Sequence, residues 1–240
     1  MRSLFLLLAV APLLLAGEAK DRRVALTGET ARPAWADAVA KMTWREKSGK
    51  VGQGSAVLVS KQLALTAHHC VKRWNGKATL RFGFDGLARK QAAVRTAVEI
   101  VSSSTAGDWA ILRLDKPVET ITPLRPATKK LKECDKSRML LAGYSCDEGK
   151  GARGLVCTYD AGCKAKKVRT DAGRILTDAI CYLGASGGPA FAKDKEAESW
   201  HWFGIVQGNI NADSTQERIT YVVYQPLYLT KLREAIRSHS

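Results

Sequence analysis

Three short stretches hold side chains that could do covalent chemistry. "LALTAHHCV" places His68, His69 and Cys70 at the end of an apolar run, "AGDWAILRL" opens another run with Asp108, and "LGASGGPAF" sets Ser186 among Gly184, Gly187 and Gly188. Each has a plain explanation when taken alone. A lone histidine is more often structural than catalytic, an aspartate at a strand entrance is usually a turn former, and a glycine-rich turn can simply precede a strand. Taken together they are a base, a carboxylate and a nucleophile. A serine hydroxyl is a poor nucleophile until an adjacent base takes its proton, and a carboxylate holds that base in the correct tautomer and stabilises it once charged. The glycines around Ser186 give the backbone room for conformations and close approaches that other residues forbid.

These residues need a scaffold, and the chain is long enough to supply one. It has 240 residues, 45% of them hydrophobic and 25% charged, which is ordinary globular composition and excludes a disordered or fibrous protein. Helical periodicity is scarce. Short strand-like runs separated by turns dominate: "SAVLVS" at 55–60, "LALTA" at 63–67, "WAILRL" at 109–114, "MLLAGY" at 139–144, "FGIVQG" at 203–208 and "ITYVVY" at 219–224. Prolines at 117, 123 and 126 mark a connection between two halves, and after Pro226 the spacing of Leu227, Leu229, Leu232 and Ile236 predicts one amphipathic helix. The pattern is all-β with a C-terminal helix.

The first residues read as an export signal. Met1 and Arg2 precede an apolar run from Leu4 to Ala16 that ends in small residues, so residues 1–19 are expected to be a signal peptide cleaved after Ala19. The run is shorter than the roughly 20 residues that span a bilayer, and no later run is long enough. The cleavage point offers no cysteine for a lipid anchor. A secreted or periplasmic protein is therefore expected, with no membrane span. The formal net charge is +15, and loss of the signal leaves it unchanged because Arg2 and Glu18 depart together. Such a field favours non-specific contact with anionic surfaces. The cations nevertheless lie in short scattered clusters such as "KKLK" and "KAKKVR", and no nucleic-acid module accompanies them. Six cysteines fit an oxidising compartment and up to three disulfides. No C-x-x-C pair occurs and the histidines do not cluster with the cysteines at ligand spacing, so no metal or cofactor is expected.

The motifs and their order, His then Asp then Ser, make the sequence resemble a chymotrypsin-like (trypsin-like) serine protease. "TAHHC" is similar to the family's T-A-A-H-C, "DWAILRL" to its D-x-A-L-L-x-L and "GASGGP" to its G-D-S-G-G-P. "GSAVLVS" and "FGIVQG" also look like the strand before the histidine and the substrate-edge strand after the serine. The resemblance implies two six-stranded antiparallel β-barrels: an N-terminal segment over 20–45, a first barrel over 46–122 carrying the histidine and aspartate, and a second over 123–240 carrying the serine and the helix. It assigns His69 as the catalytic imidazole, with His68 a neighbour of no catalytic role, Asp108 as the residue that orients His69, and Ser186 as the nucleophile. The N–H groups of Gly184 and Ser186 would form the oxyanion hole. The implied activity is peptide-bond hydrolysis through an acyl-enzyme, by a monomer acting on protein or peptide substrates.

Three departures from the digestive branch stand out. Ala185 replaces the aspartate that receives a freshly cut N-terminus there, so "DRRV" at 21–24, if it is a processing site, serves another purpose. Cys70 lacks its usual partner, because "GQGSAVLVS" contains no cysteine. "TDAICYLGASGGP" resembles bacterial relatives of the glutamyl endopeptidase branch, and by that likeness Cys181 is expected to bridge to Cys163 or Cys157. Ile180 stands where an aspartate sets tryptic preference, and Val206 where the glutamyl enzymes carry a histidine. Ile180, Cys181, Tyr182, Val206 and Asn209 would make a mostly apolar or small specificity pocket. The competing reading is a protease-like binding protein, catalytically silent, that works through its basic surface.

Overall fold

The computed structural model describes residues 21–28, 31–128, 131–169, 172–211 and 218–239, with the side chains at 209–211, 218, 219 and 225 outside the description. The signal segment at 1–19 also lies outside it. The protein is mostly β and has the chymotrypsin-like fold. Strands β1 (Val24–Ala25), β2 (Val39–Glu46), β3 (Val51–Ser60), β4 (Leu63–Thr66), β5 (Trp74–Phe82), β6 (Ala93–Ser104) and β7 (Trp109–Leu114) precede a long connection. There follow β8 (Cys134–Gly143), β9 (Thr158–Cys163), β10 (Ala165–Arg169), β11 (Arg174–Thr177), β12 (Pro189–Asp194), β13 (Trp200–Asn211), β14 (Arg218–Tyr224) and the helix α1 (Leu229–Ser238).

The first half closes on itself in the order β2-β3-β4-β7-β6-β5, with β5 returning to pair with β2. Its first strand starts at Val39, inside the stretch expected to be an N-terminal segment. The second half is a half-barrel sheet in the order β1-β9-β8-β12-β13-β14-β11-β10, in which β9 and β10, parted only by Lys164, pair with β8 and with β11 respectively. β1 from the N-terminus adds to the outer edge of β9, through Val24 opposite Tyr159 and Ala25 opposite Thr158.

Period-2 alternation explains why so many of these strands read as continuous apolar runs: both of their faces are buried. Along β3, Ala56 and Leu58 fill the first barrel while Val57 and Val59 face a second core; along β7, Ala110 and Leu112 alternate with Trp109 and Ile111 in the same way. From the other half, Leu140 and Ala142 of β8, Phe191 of β12 and Trp202 of β13 face that second core, while Met139, Leu141, Ala190 and Phe203 fill the interior of their own sheet. Leu232 and Ala235 of α1 also pack on the core between the halves.

No disulfide joins any of the six cysteines, which corrects the expected bridges, that of Cys181 to Cys163 or Cys157 included. Cys157 lies in the core between the halves, whereas Cys134, Cys163 and Cys181 lie inside the second sheet, so Cys157 faces away from its expected partner. The five buried thiols act here as small core groups. Burial pushes that of Cys157 up to about 12 and that of Cys181 likewise to about 12, well away from reactive thiolates.

Candidate active site

The site lies where the ends of β4 and β7 meet the turn before β12. β4 delivers His68–Cys70 as a single 3₁₀ turn, in which the N–H of Val71 returns to the carbonyl of His68. Asp108 sits just before β7 with φ of +53°, a left-handed conformation that aspartate tolerates better than most residues. This bend aims its carboxylate at His69. Oδ1 accepts the backbone N–H of His69 at 3.0 Å, and the ring Nδ1 lies 3.1 Å from Oδ1 and 3.0 Å from Oδ2. The Asp108 carboxylate raises the pKa of His69 above the ordinary histidine value, with a smaller contribution from Cys70, and burial opposes both. Asp108 itself is 6% exposed, so this attraction acts with little screening by water.

Ser186 sits in a scaffold of turns. The N–H of Ala185 closes a turn onto the carbonyl of Tyr182 at 3.1 Å with Gly184 at φ of +95°, the position and sign that a type II turn demands of glycine. A side chain on Gly184 would run into the carbonyl of Tyr144 and the sulfur of Cys146. Gly187, at φ of +87°, leaves no room either, because a Cβ there would strike the carbonyl oxygen of Ser55. Among the described residues neither the Gly184 nor the Ser186 N–H donates a hydrogen bond, so both remain for a ligand. The Ser186 hydroxyl donates to the carbonyl of Gln207 at 2.9 Å, and no hydrogen bond joins it to His69. Catalytic hydrogen bonds of this kind are often unformed until substrate binds.

Ser55 escaped the reading of the sequence as a site residue. Buried on β3, it donates its hydroxyl to the carbonyl of Gly184 at 2.8 Å, accepts the N–H of Tyr144 at 2.9 Å and gives its own N–H to the carbonyl of Ser186 at 2.8 Å. One residue of the first barrel thus pins both ends of the Gly184–Ser186 segment in the second half. The only sequence signal was a small polar residue inside an otherwise apolar strand.

Beside His69 opens a cleft of about 520 Å³ lined by His68, Lys72, Thr105, Asp108, Arg174, Gln207, Gly208 and Tyr221. Of the residues expected to form a specificity pocket, the four whose side chains are described, Ile180, Cys181, Tyr182 and Val206, are not among its walls. Cys181 and Val206 point into the core of the second sheet, Ile180 is buried, and Tyr182 lies under the guanidinium of Arg23, 4.4 Å from its ring centroid. The side chain of Asn209 lies outside the described residues. His68 stands at the rim with Nε2 3.2 Å from the Thr105 hydroxyl. Among the described residues no group of histidine, cysteine and carboxylate side chains could hold a metal ion, and no helix is long and apolar enough to cross a membrane.

Comparison with known proteins agrees with this geometry. The family profile described as "Trypsin-like peptidase domain" matches residues 54–197. Among solved structures the chain is similar to a thermostable serine protease, AL20, from an extremophilic microorganism, at 16% identity and a TM-score of 0.61, covering 80% of this chain and 93% of that one. At that identity the likeness bears on the fold. No curated protein sequence matches the chain.

Proposed function

The chain belongs to the trypsin-like peptidase family, and we propose that it is an exported serine endopeptidase in which His69, Asp108 and Ser186 act as a triad. The observation that carries the proposal is the His69 ring held on both oxygens of the buried Asp108 carboxylate, at the edge of a cleft that also includes Gln207. Gln207 carries the carbonyl to which the Ser186 hydroxyl is bonded. In the reaction, Nε2 of His69 takes the proton of the Ser186 hydroxyl as Oγ bonds to the scissile carbonyl carbon. The resulting oxyanion is met by the N–H groups of Gly184 and Ser186, and Asp108 stabilises the imidazolium. His69 then gives its proton to the leaving amine, which departs as the acyl-enzyme forms. Water, deprotonated by the same ring, releases the acid and restores the serine.

Intact-mass analysis after treatment with a fluorophosphonate tests this, because the reagent requires nucleophile and oxyanion hole together. One adduct on Ser186, absent from Ser186→Ala, is expected. A protein that takes no adduct would be a silent relative, and its +15 charge would then point to binding of anionic material. Export into the periplasm or medium is part of the proposal, resting on residues 1–19.

A further inference from the structure

Arg23 is a cation in an unusual place. Its side chain is 2% exposed, and arginine is seldom buried so fully unless it is paired. It belongs to the N-terminal strap that β1 docks on β9, and the mechanism above leaves it without a task. Its guanidinium forks onto two carboxylates: Nη1 and Nη2 donate to Asp147 at 2.7 and 3.0 Å, while Nε and Nη2 donate to Asp21 at 3.0 and 2.7 Å. Its face covers the ring of Tyr182. Lys150 closes the cluster by donating to the carbonyls of Asp21 and Arg23.

Two of these three partners of Arg23, Tyr182 and Asp147, are tied to the oxyanion turn. Tyr182 opens that turn and accepts the N–H of Ala185, and its own N–H reaches the hydroxyl of Ser145 at 3.4 Å. Asp147 follows Cys146, whose N–H donates to the carbonyl of Leu183 at 2.7 Å. The segment 145–147 and the turn 182–185 are therefore laced side by side, with the guanidinium fastened to both. Ala185 offers no carboxylate that could anchor the turn from within.

We propose that Arg23 is a positioning residue which, through Asp147 and Tyr182, holds the turn Tyr182–Ala185 so that the N–H groups of Gly184 and Ser186 converge on an oxyanion. The inference rests on the peptidase reading above.

Kinetics on a small ester substrate test the clamp, with folding followed by circular dichroism and thermal melting. Arg23→Ala is expected to lower kcat at least about tenfold with KM little changed, part of the ~100- to 1,000-fold that outright loss of an oxyanion donor costs. Millimolar guanidinium should restore much of it, a rescue that a merely structural defect would not show. Arg22→Ala removes instead the strap's contacts to Asp160 and Asp178, and should keep kcat within about twofold while Arg23 stays bonded. If Arg23→Ala does not fold, Asp147→Asn gives the same reading from the other side of the pair with the shape kept. Folded variants with wild-type kcat would overturn the clamp alone. A wild-type protein inert to both ester and fluorophosphonate would overturn the peptidase reading, and the clamp with it.

Discussion

At the scale of single residues, the proposed chemistry depends on what Asp108 does to His69. Because the carboxylate favours the charged ring, His69 holds its proton to higher pH than a free histidine, whose pKa is about 6.5. As a base the ring must be neutral, so the acid limb of kcat/KM is expected above pH 6.5, with activity rising as the proton leaves. Stability runs the opposite way. A pKa raised by folding contributes stability that is complete below about pH 6.5 and fades as pH rises through the higher folded value. Asp108→Asn should move the acid limb down toward the ordinary histidine value and lower kcat by ~10⁴-fold, since the amide no longer fixes the productive tautomer. An unshifted pH profile in that variant would break the link between the two residues. Ser55 shows the complementary lesson. It touches no substrate, yet its hydroxyl and N–H fix the carbonyls on either side of Ala185, and that placement depends on a contact between the two halves of the chain.

At the scale of elements, the strand β3 and the turn after β4 come close enough to be joined. A Cβ built on Gly54 would lie 2.9 Å from the sulfur of Cys70, which is the reach of a disulfide, and 3.5 Å from the carbonyl of Ser186. Gly54→Cys is thus expected to pair with Cys70 in air, with a mass lower by two hydrogens. It should raise stability by about 3 kcal/mol, and a reductant should remove that gain. An unchanged mass under oxidising conditions would show that the two elements do not meet as described. The same elements show what a sequence can and cannot disclose. "WAILRL" is β7 to the residue and "ITYVVY" is nearly all of β14, because β-branched and aromatic residues bounded by turns state a strand locally. The helix after Pro226 was equally plain, and so were His69, Asp108 and Ser186, each lodged in an unusual local context. The strands β5, β6 and β10 were not legible. Each breaks its apolar residues with charges, Lys77 and Arg81 in β5, Arg95 and Glu99 in β6, Lys166 and Lys167 in β10, and becomes a strand by pairing with its sheet neighbours. For the same reason the sequence leaves Val39–Arg45 of β2 within the N-terminal segment at 20–45 and does not name the walls of the cleft. Those walls combine Lys72, Thr105, Arg174 and Tyr221, whose meeting is fixed by barrel and sheet closure and not by any local motif.

At the scale of the whole molecule, the two halves share one core, and this makes the active site a property of their union. Val57, Leu65 and Ile111 of the barrel pack in the same cluster as Tyr144, Phe191 and Trp202 of the sheet, with Leu26 and Leu232 added from the two ends of the described chain. The proposed triad straddles this seam, so a protein whose halves unfolded separately would lose His69–Asp108 from Ser186 before it lost either half. Tyr228 probes the seam best. It is 1% exposed, and its ring lies 6.3 Å from Trp109 of the barrel and 6.3 Å from Trp202 of the sheet, while its buried hydroxyl has no partner among the described residues. The two parts of this side chain therefore act in opposite directions. Removing the ring in Tyr228→Ala opens a cavity between the halves and should cost about 3–5 kcal/mol. Removing only the oxygen in Tyr228→Phe relieves an unsatisfied polar group and should be neutral or stabilising by about 1 kcal/mol. Calorimetry of all three proteins should show one transition, with the calorimetric and van't Hoff enthalpies equal, because the shared core couples barrel to sheet. If Tyr228→Ala instead splits the transition in two while fluorophosphonate reactivity disappears with the first, the seam is the weakest part of the fold and the catalytic geometry fails there first. Two transitions already in the wild type would mean that the shared core does not couple the halves, and the alignment of His69 with Ser186 would then have to rest on Ser55 and its hydrogen bonds.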